Sequence, residues 1–491
     1  MPSVAKGLGW TALAAAINAL LQLAVLAVLA RQLTPVMFGL VASAALSTRL
    51  LACFAHWGMA QTLVQRAELI PGHLSAALAL AGGASLLLAA ALALAAPWLA
   101  PLLAQPADAP AWVPVLQVFA LMLPLSSLAV LPLALLRRSA RHGAASAVEV
   151  TSYAIGFGAV GIVAAAAGWG VWALVAASLS QQVLLLVLAA SLARYPMAWP
   201  VPRAAWREVM AQGSGYSLIG FLEVLWLIAE GLLIGRLWGQ AALGLVNRAQ
   251  ALAQLPVELA VNAGAKVLFP ALAARQHDRA RLVEAFWLLL LINGFVSVCL
   301  GAGIAAAAPD LVAALLGPQW LAATPLVALM AWGAPASFIY MACGLTLDGM
   351  AALRPKLQLQ AVLLVIKGLA LAWALGQGLW VLVAVIVLAE WLRALAGLRL
   401  LRRLLVLPAR PLMFLLLALT GLGAAMFTAV WAARTGLASA AVALPWRLGA
   451  ELAVAAAVAA AAAALGLARS AGFTPLLAIR QQVLLRWRGA S

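Results

Sequence analysis

One apolar stretch of this 491-residue chain carries a full-length polar stripe. Asn247, Gln250, Gln254, Glu258 and Asn262 recur every three or four residues, and Lys266 follows four later. That spacing places them along one face of a helix. At 1.5 Å per residue the stripe is about 28 Å long, nearly the hydrocarbon thickness of a bilayer. Arg248 flanks it, and Pro256 in its middle frees a backbone carbonyl. A full-depth row of amides, a carboxylate and a cation suits a water-filled cavity for a polar group. Interhelical hydrogen-bond glue is the alternative, although one or two such residues would suffice for that.

Glu223 and Glu230 are seven apart, hence on one helix face two turns apart. A carboxylate in a partly dry site can bind a proton or sodium and change charge. The alternative is a plain pair between Glu230 and Arg236 or Arg248. Asn18 falls opposite Glu223 when a repeat offset of 205 is applied, and Gln22 shares its face. Arg49, near Ser43 and Ser47, offers a fixed donor fork that suits an anionic pyrophosphate; snorkelling to the interface is equally open. Lys367 and Glu390 flank the Gly376–Trp380 turn at similar depth and are expected to pair. Glu149 is expected to form a surface pair near Arg141.

The elements that must position these residues are membrane helices. Apolar residues make up 67% of the chain and charged residues 9%, and mean hydropathy is +1.09. Soluble domains run near 25% charged, so this composition excludes an ordinary soluble fold. The net charge of +17 does not indicate nucleic acid, because the basic residues punctuate apolar runs instead of clustering with aromatics. Fourteen spans are predicted, at roughly 10–30, 36–58, 74–97, 112–135, 147–167, 172–193, 215–235, 242–265, 283–308, 323–347, 357–376, 379–398, 412–432 and 446–468. The first resembles a signal peptide, but Asn18 and Gln22 interrupt its core, and cleavage is not expected. About 21 basic residues fall on one side and four (Arg31, Arg236, Arg434, Arg447) on the other, which predicts cytoplasmic termini. Trp98, Trp112, Trp169, Trp172, Trp320 and Trp380 are expected to form an interfacial belt. Cys53, Cys299 and Cys343 lack disulfide or metal spacing and read as core fillers.

Three patterns occur twice. Arg31-x7-Gly39-Leu40-Val41 returns as Arg236-x7-Gly244-Leu245-Val246. Pro114-x9-Pro124-x-Ser126 returns as Pro325-x9-Pro335-x-Ser337, and Gly168-x-Gly170-x-Trp172-x-Leu174-Val175 as Gly376-x-Gly378-x-Trp380-x-Leu382-Val383. The offsets are about 205, 211 and 208. Six spans lie between mates, so the halves are parallel repeats facing a central cavity. The expected organisation is an N-terminal six-helix bundle over 1–195, a cytoplasmic connector over 196–213 and a second bundle over 214–405. Two further helices over 406–468 and a basic tail over 469–491, carrying Arg480, Arg486, Trp487 and Arg488, complete the chain.

A family resemblance rests on particular residues. Ile234-Gly235-Arg236, Gly239, Leu243-Gly244, Asn247-Arg248-Ala249, Leu255-Pro256, Val267-Leu268-Phe269-Pro270-Ala271-Leu272 and Gln276-x-Asp278 resemble the mid-chain signature of bacterial O-antigen and exopolysaccharide flippases. These are the oligosaccharidyl-lipid/polysaccharide exporters of the multidrug/oligosaccharidyl-lipid/polysaccharide superfamily. Arg31 to Gly39 and Leu315 to Leu326 resemble two more family segments, closest to the colanic-acid and teichuronic-acid branch. The resemblance implies an undecaprenyl-diphosphate-linked oligosaccharide as cargo, flipped across the bacterial inner membrane by alternating access with proton or sodium coupling. It implies no cofactor, no nucleic acid, membrane lipids as surroundings, and a polysaccharide polymerase and chain-length regulator as partners. Glu230 stands where the family commonly shows Asp, and Val246 where an aromatic is usual. A multidrug or small-solute antiporter of the same superfamily is the nearest rival. A major-facilitator carrier would want an acidic and basic cluster between spans 2 and 3. A membrane glycosyltransferase or polymerase would want acidic groups or a sizeable domain at the outer face, where the short connections offer little beyond Asp108 and Asp310. No nucleotide loop, metal cluster or hydrolytic triad is seen in the sequence.

Overall fold

The computed structural model describes residues 17–18, 20–56, 71–139, 141–193, 203–273, 279–350, 352–440 and 442–469, with most side chains of 207–220 and 258–273 left aside. The basic tail and the start of the first predicted span therefore lie outside the described residues. Among those described, the chain is helical, without a strand.

In order, the helices are α1 (Leu20–Gln32), α2 (Pro35–His56), α3 (Pro71–Leu103), α4 (Ala109–Phe119), α5 (Met122–Arg138), α6 (His142–Tyr153), α7 (Ile162–Ala166) and α8 (Val171–Ala193). The second set is α9 (Arg203–Ala273), α10 (Arg279–Leu311), α11 (Thr324–Ala331), α12 (Ala334–Gly349), α13 (Leu353–Ala374), α14 (Leu379–Leu405), α15 (Ala409–Ser439) and α16 (Leu444–Arg469). A widened helical turn over Ala154–Gly161 joins α6 to α7. Among the described residues ten helical stretches are long and apolar enough to cross a membrane. The pair Pro318–Ala331 and Ala334–Gly349, bent by 41°, makes eleven when counted as one span. The protein is thus a multi-pass membrane protein.

Two predicted spans, the seventh and eighth, run together in α9. They are separated by a kink at Gly239, where φ is +85° and ψ is 171°. That backbone lies in a region open to glycine and costly for residues with a Cβ. In the third repeated pattern the second glycines behave alike, Gly170 and Gly378 both adopting positive φ in the turns that begin α8 and α14, whereas of the first glycines Gly168 has positive φ and Gly376 does not.

The chain forms two compact units. The first comprises residues to Arg248, with Leu315–Ala323 and Gln360–Leu382; the second comprises Ala249–Ala314, Thr324–Leu359 and Val383–Ser491.

Within the first unit, each half of the chain holds a helix end of the other. Gln105, between α3 and α4, donates from Nε2 to the Leu237 carbonyl at 2.9 Å. Asp108 accepts from the Gln240 N–H at 2.9 Å, just past the Gly239 kink. A helix end leaves carbonyls unpaired, and a helix start leaves N–H groups that favour an anion. The reciprocal hold comes from the stretch between α10 and α11. Gln319 Nε2 donates to the Ala30 carbonyl and to Leu33 at 3.2 Å. Trp320 Nε1 donates to Ala30 at 2.7 Å. Asp108, noted from sequence as one of the few acidic residues of these connections, closes one of these holds.

Two tryptophans leave the expected belt. Trp112 and Trp320 are fully buried. Trp112 donates to Ser43 Oγ at 2.8 Å, and Trp320 packs edge-on against Phe38 with centroids 5.4 Å apart. An indole N–H that finds a partner indoors can be buried whole. Trp98, Trp169, Trp172 and Trp380 are exposed, as a belt requires.

In the second unit, Arg447 of α16 pairs with Asp310 of α10 at 3.0 Å, fastening the last helix. All three cysteines are free, and Cys299 and Cys343 are buried.

Candidate functional site

The seven-residue interval of Glu223 and Glu230 on α9 is matched by Gln360 and Lys367 on α13. The two helices therefore meet in register, two turns apart at each end. Gln360 Nε2 donates to Glu223 Oε1 at 3.0 Å, and Lys367 Nζ lies 2.6 Å from Glu230 Oε2. Residue numbers rise together on both sides, so the segments run parallel. Four polar residues form two rungs inside the first unit.

The upper rung is the drier. The Lys367 side chain is 1% exposed and that of Glu230 11%. Lys367 also donates to the Trp226 carbonyl at 2.6 Å and sits 4.2 Å from the centre of the Trp226 ring. Lys367 is thus partnered by Glu230, not by Glu390 as expected from sequence, while Glu390 accepts from Ser337 Oγ at 2.9 Å in the second unit. The turn at Gly376–Trp380 suggested a hairpin pair; the in-register seven-residue spacing selects a different partner. Likewise Glu230 is held by Lys367 instead of the proposed Arg236 or Arg248.

Arg248 stands at the end of the first unit's share of α9. Its guanidinium lies 4.6 Å above the Phe38 ring and donates to Asn247 Oδ1 at 2.7 Å. Its Nε has no partner among the described residues. A stacked guanidinium with donors to spare is suited to oxyanions. Gln250 donates to Gln254 at 3.4 Å farther along α9, in the second unit. Glu258, Asn262 and Lys266 lie in the helix, but their side chains are outside those described.

The remaining candidates are scattered. Asn18 and Gln22 are half-buried, and Asn18 Oδ1 has no partner among the described residues. Arg49 is exposed on α2. Ser43 and Ser47 are buried and spent on local bonds: Ser43 to Leu40, Ser47 to Ser43. Glu149 pairs with Arg137 at 2.6 Å, while Arg141 donates to the Leu192 carbonyl. Sequence reading missed Gln360, Trp226 and Phe38. The repeated seven-residue interval was the available signal for Gln360; nothing in spacing marks a ring that lies under a cation.

Residues 28–325, more than half of the chain, match the family described as polysaccharide biosynthesis protein. The chain belongs to that family. The motifs that carried the resemblance, from Arg31 to Leu326, fall inside the match to within one residue. Among the chain's relatives, the teichuronic acid biosynthesis protein TuaB of Bacillus subtilis (strain 168) is 30% identical over 100 residues. That stretch covers 20% of this chain and 21% of TuaB, about a fifth of the relative's length.

Among solved structures, the lipid II flippase MurJ in an inward closed conformation superposes with TM-score 0.73 at 11% identity, covering 93% of this chain and 98% of MurJ. An inward-facing multidrug resistance MATE transporter of the MOP superfamily gives 0.63 at 14% identity, covering 79% and 94%. A MOP superfamily transporter from Pyrococcus furiosus gives 0.56 at 14%, covering 82% and 96%. At such identities the likeness establishes a shared fold. The fold bears out the sequence reading of an all-helical membrane protein, and the family match bears out the polysaccharide resemblance.

Proposed function

We propose that this member of the polysaccharide biosynthesis family is a flippase that moves an undecaprenyl-diphosphate-linked oligosaccharide across the bacterial inner membrane. The observation that carries the reading is the coincidence of a polysaccharide biosynthesis family match over 28–325 with the fold of a lipid II flippase over 93% of the chain. A TuaB-like stretch points the same way.

The chemistry supports it. A lipid-linked sugar diphosphate needs a cationic, hydrogen-bonding lining. Arg248, stacked on Phe38 beside Asn247, supplies donors for the diphosphate. Arg49, Gln254, Glu258, Asn262, Lys266, Asn18 and Gln22 extend the proposed lining. The repeats 1–195 and 214–405 act as the two bodies of an alternating-access cycle, and a proton or sodium gradient drives it through Glu223 and Glu230. Both termini face the cytoplasm. The polymerase and chain-length regulator act on the delivered cargo.

A multidrug antiporter role is the second reading, favoured by the MATE likeness at TM-score 0.63. The protein is proposed to make no bonds, unlike a glycosyltransferase or polymerase. The deciding experiment places purified protein in liposomes with a fluorescent undecaprenyl-diphosphate oligosaccharide. Inward-to-outward movement that Arg248→Ala abolishes supports the flippase. Absence of movement, combined with efflux of cationic dyes, selects the antiporter.

A further inference from the structure

Lys367 is a fully buried charge among the described residues of the first unit. Its ammonium has the surroundings of a bound monovalent cation. A carboxylate oxygen of Glu230 and the carbonyl oxygen of Trp226 each lie at 2.6 Å. The Trp226 ring covers another side at 4.2 Å from its centroid. Anionic oxygen, main-chain oxygen and a π face are groups that stabilise a small cation away from water. One rung away, Gln360 Oε1 is buried with no partner among the described residues.

The other half of the chain provides an internal comparison. Carrying Glu230 back by 205 residues gives Val25, and carrying Lys367 back by 208 gives Ala159. The segments that carry these mates also approach each other: a Cβ at Gly158, the neighbour of Ala159, would lie 3.8 Å from Val25 Cγ2. The two positions equivalent to the ion pair therefore carry no charge. Packing does not require the ion pair, and a buried pair is a poor source of stability compared with apolar residues. Its presence on one side of the pseudo-symmetry calls for a role tied to charge.

We propose that Lys367 is a tethered monovalent cation: its ammonium occupies the place where Glu230 would otherwise hold a soluble one. The carboxylate is then indifferent to sodium in the native protein and becomes a sodium site when the ammonium is removed. Lys367 is in this sense a specificity-determining residue for the coupling ion. The proposal deepens the coupling part of the flippase reading and rests on it for the meaning of coupling. Its test measures cation binding by purified protein, so cargo transport can fail without touching it.

The experiment uses the full chain in nanodiscs, with choline chloride keeping ionic strength constant. Thermal unfolding and retention of radioactive sodium are followed while sodium chloride is raised. The native protein and Lys367→Arg are expected to show no saturable sodium response that depends on Glu230. Lys367→Met is expected to gain one, as a saturable rise of several degrees in Tm with sodium retained. Glu230→Gln placed on top of Lys367→Met should abolish it. A saturable response of the native protein that disappears in Glu230→Gln overturns the proposal. So does a folded Lys367→Met protein that ignores lithium, sodium and potassium alike. If the Met variant does not fold, Lys367→Gln takes its place, and the native arm decides independently of both.

Discussion

Gly39 and Gly244 face each other at one helix crossing, each lying against the backbone of the other's helix. A Cβ on Gly39 would collide with the Gln240 carbonyl, and one on Gly244 with that of Pro35. The Gly244 Cβ position is also 3.1 Å from the Gly39 nitrogen. Pro35 and Gln240 are related by the same offset of 205 that relates the glycines. At this crossing the repeat seen in the sequence becomes a reciprocal relation in space.

Substituting either glycine should break the crossing, because the obstacle is main chain and cannot rotate aside. Overpacking of this kind typically costs about 1–3 kcal/mol, and here both helices must move. Gly39→Val and Gly244→Val are expected to lower Tm sharply and to cut the yield of folded protein. Gly83→Ala, where a Cβ meets nothing within 4 Å, is the control and should be neutral. Equal behaviour of all three in thermal unfolding would remove the crossing from consideration.

The fold was largely legible because its signals are periodic. Apolar runs gave helix positions, and the paired motifs gave the glycines and turns now seen at equivalent places. The α9 kink at Gly239 was legible as a turn, since Gly239 stands between two predicted spans. Partner choice was less legible. Lys367 and Glu390 look like neighbours across a short turn, yet the bond goes to Glu230, more than a hundred residues upstream in the chain. Trp112 and Trp320 look like belt residues because sequence fixes depth and not azimuth. Depth follows from counting along a helix; the direction a side chain points depends on which helix packs beside it.

The Glu230–Lys367 pair should separate stability from function. Removing one partner leaves an unpaired buried charge, which typically costs about 3–5 kcal/mol. Lys367→Met in sodium-free buffer and Glu230→Gln are expected to lower Tm, the former more. The double variant Glu230→Leu/Lys367→Met mimics the Val25 side of the pseudo-symmetry and should regain most of the loss. Its polymer export in a flippase-null strain should nevertheless stay low. Restored export in that double variant would make the pair purely architectural.

Arg248 tests the proposed lining. Arg248→Lys keeps the charge but loses the planar fork and its stacking on Phe38. Export is expected to fall about tenfold for Lys and about a hundredfold for Ala, the latter equal to about 2.8 kcal/mol at 1.4 kcal/mol per decade. Immunoblots of the membrane fraction should show unchanged amounts. A Lys variant with full export would mean that charge alone is needed there.

The reciprocal holds at the helix ends make a final pair of expectations. Trp320→Phe keeps an aromatic ring against Phe38 but leaves the Ala30 carbonyl with one donor fewer. Gln319 still donates to that same carbonyl, so the loss should be modest, about 0.5–1.5 kcal/mol, the net worth of a typical hydrogen bond. Asp108→Asn keeps an acceptor for the Gln240 N–H but removes the negative charge at the start of the helix that follows Gly239. That charge is worth about 0.3–1 kcal/mol at a helix N-terminus. Asp108→Ala removes both and should cost more than either. Chemical denaturation in one detergent would rank the three. If Asp108→Asn proved as costly as Asp108→Ala, charge would outweigh the hydrogen bond in closing the kink. If neither cost anything, Gly239 and the Gln105 bond to Leu237 would suffice to hold the bend.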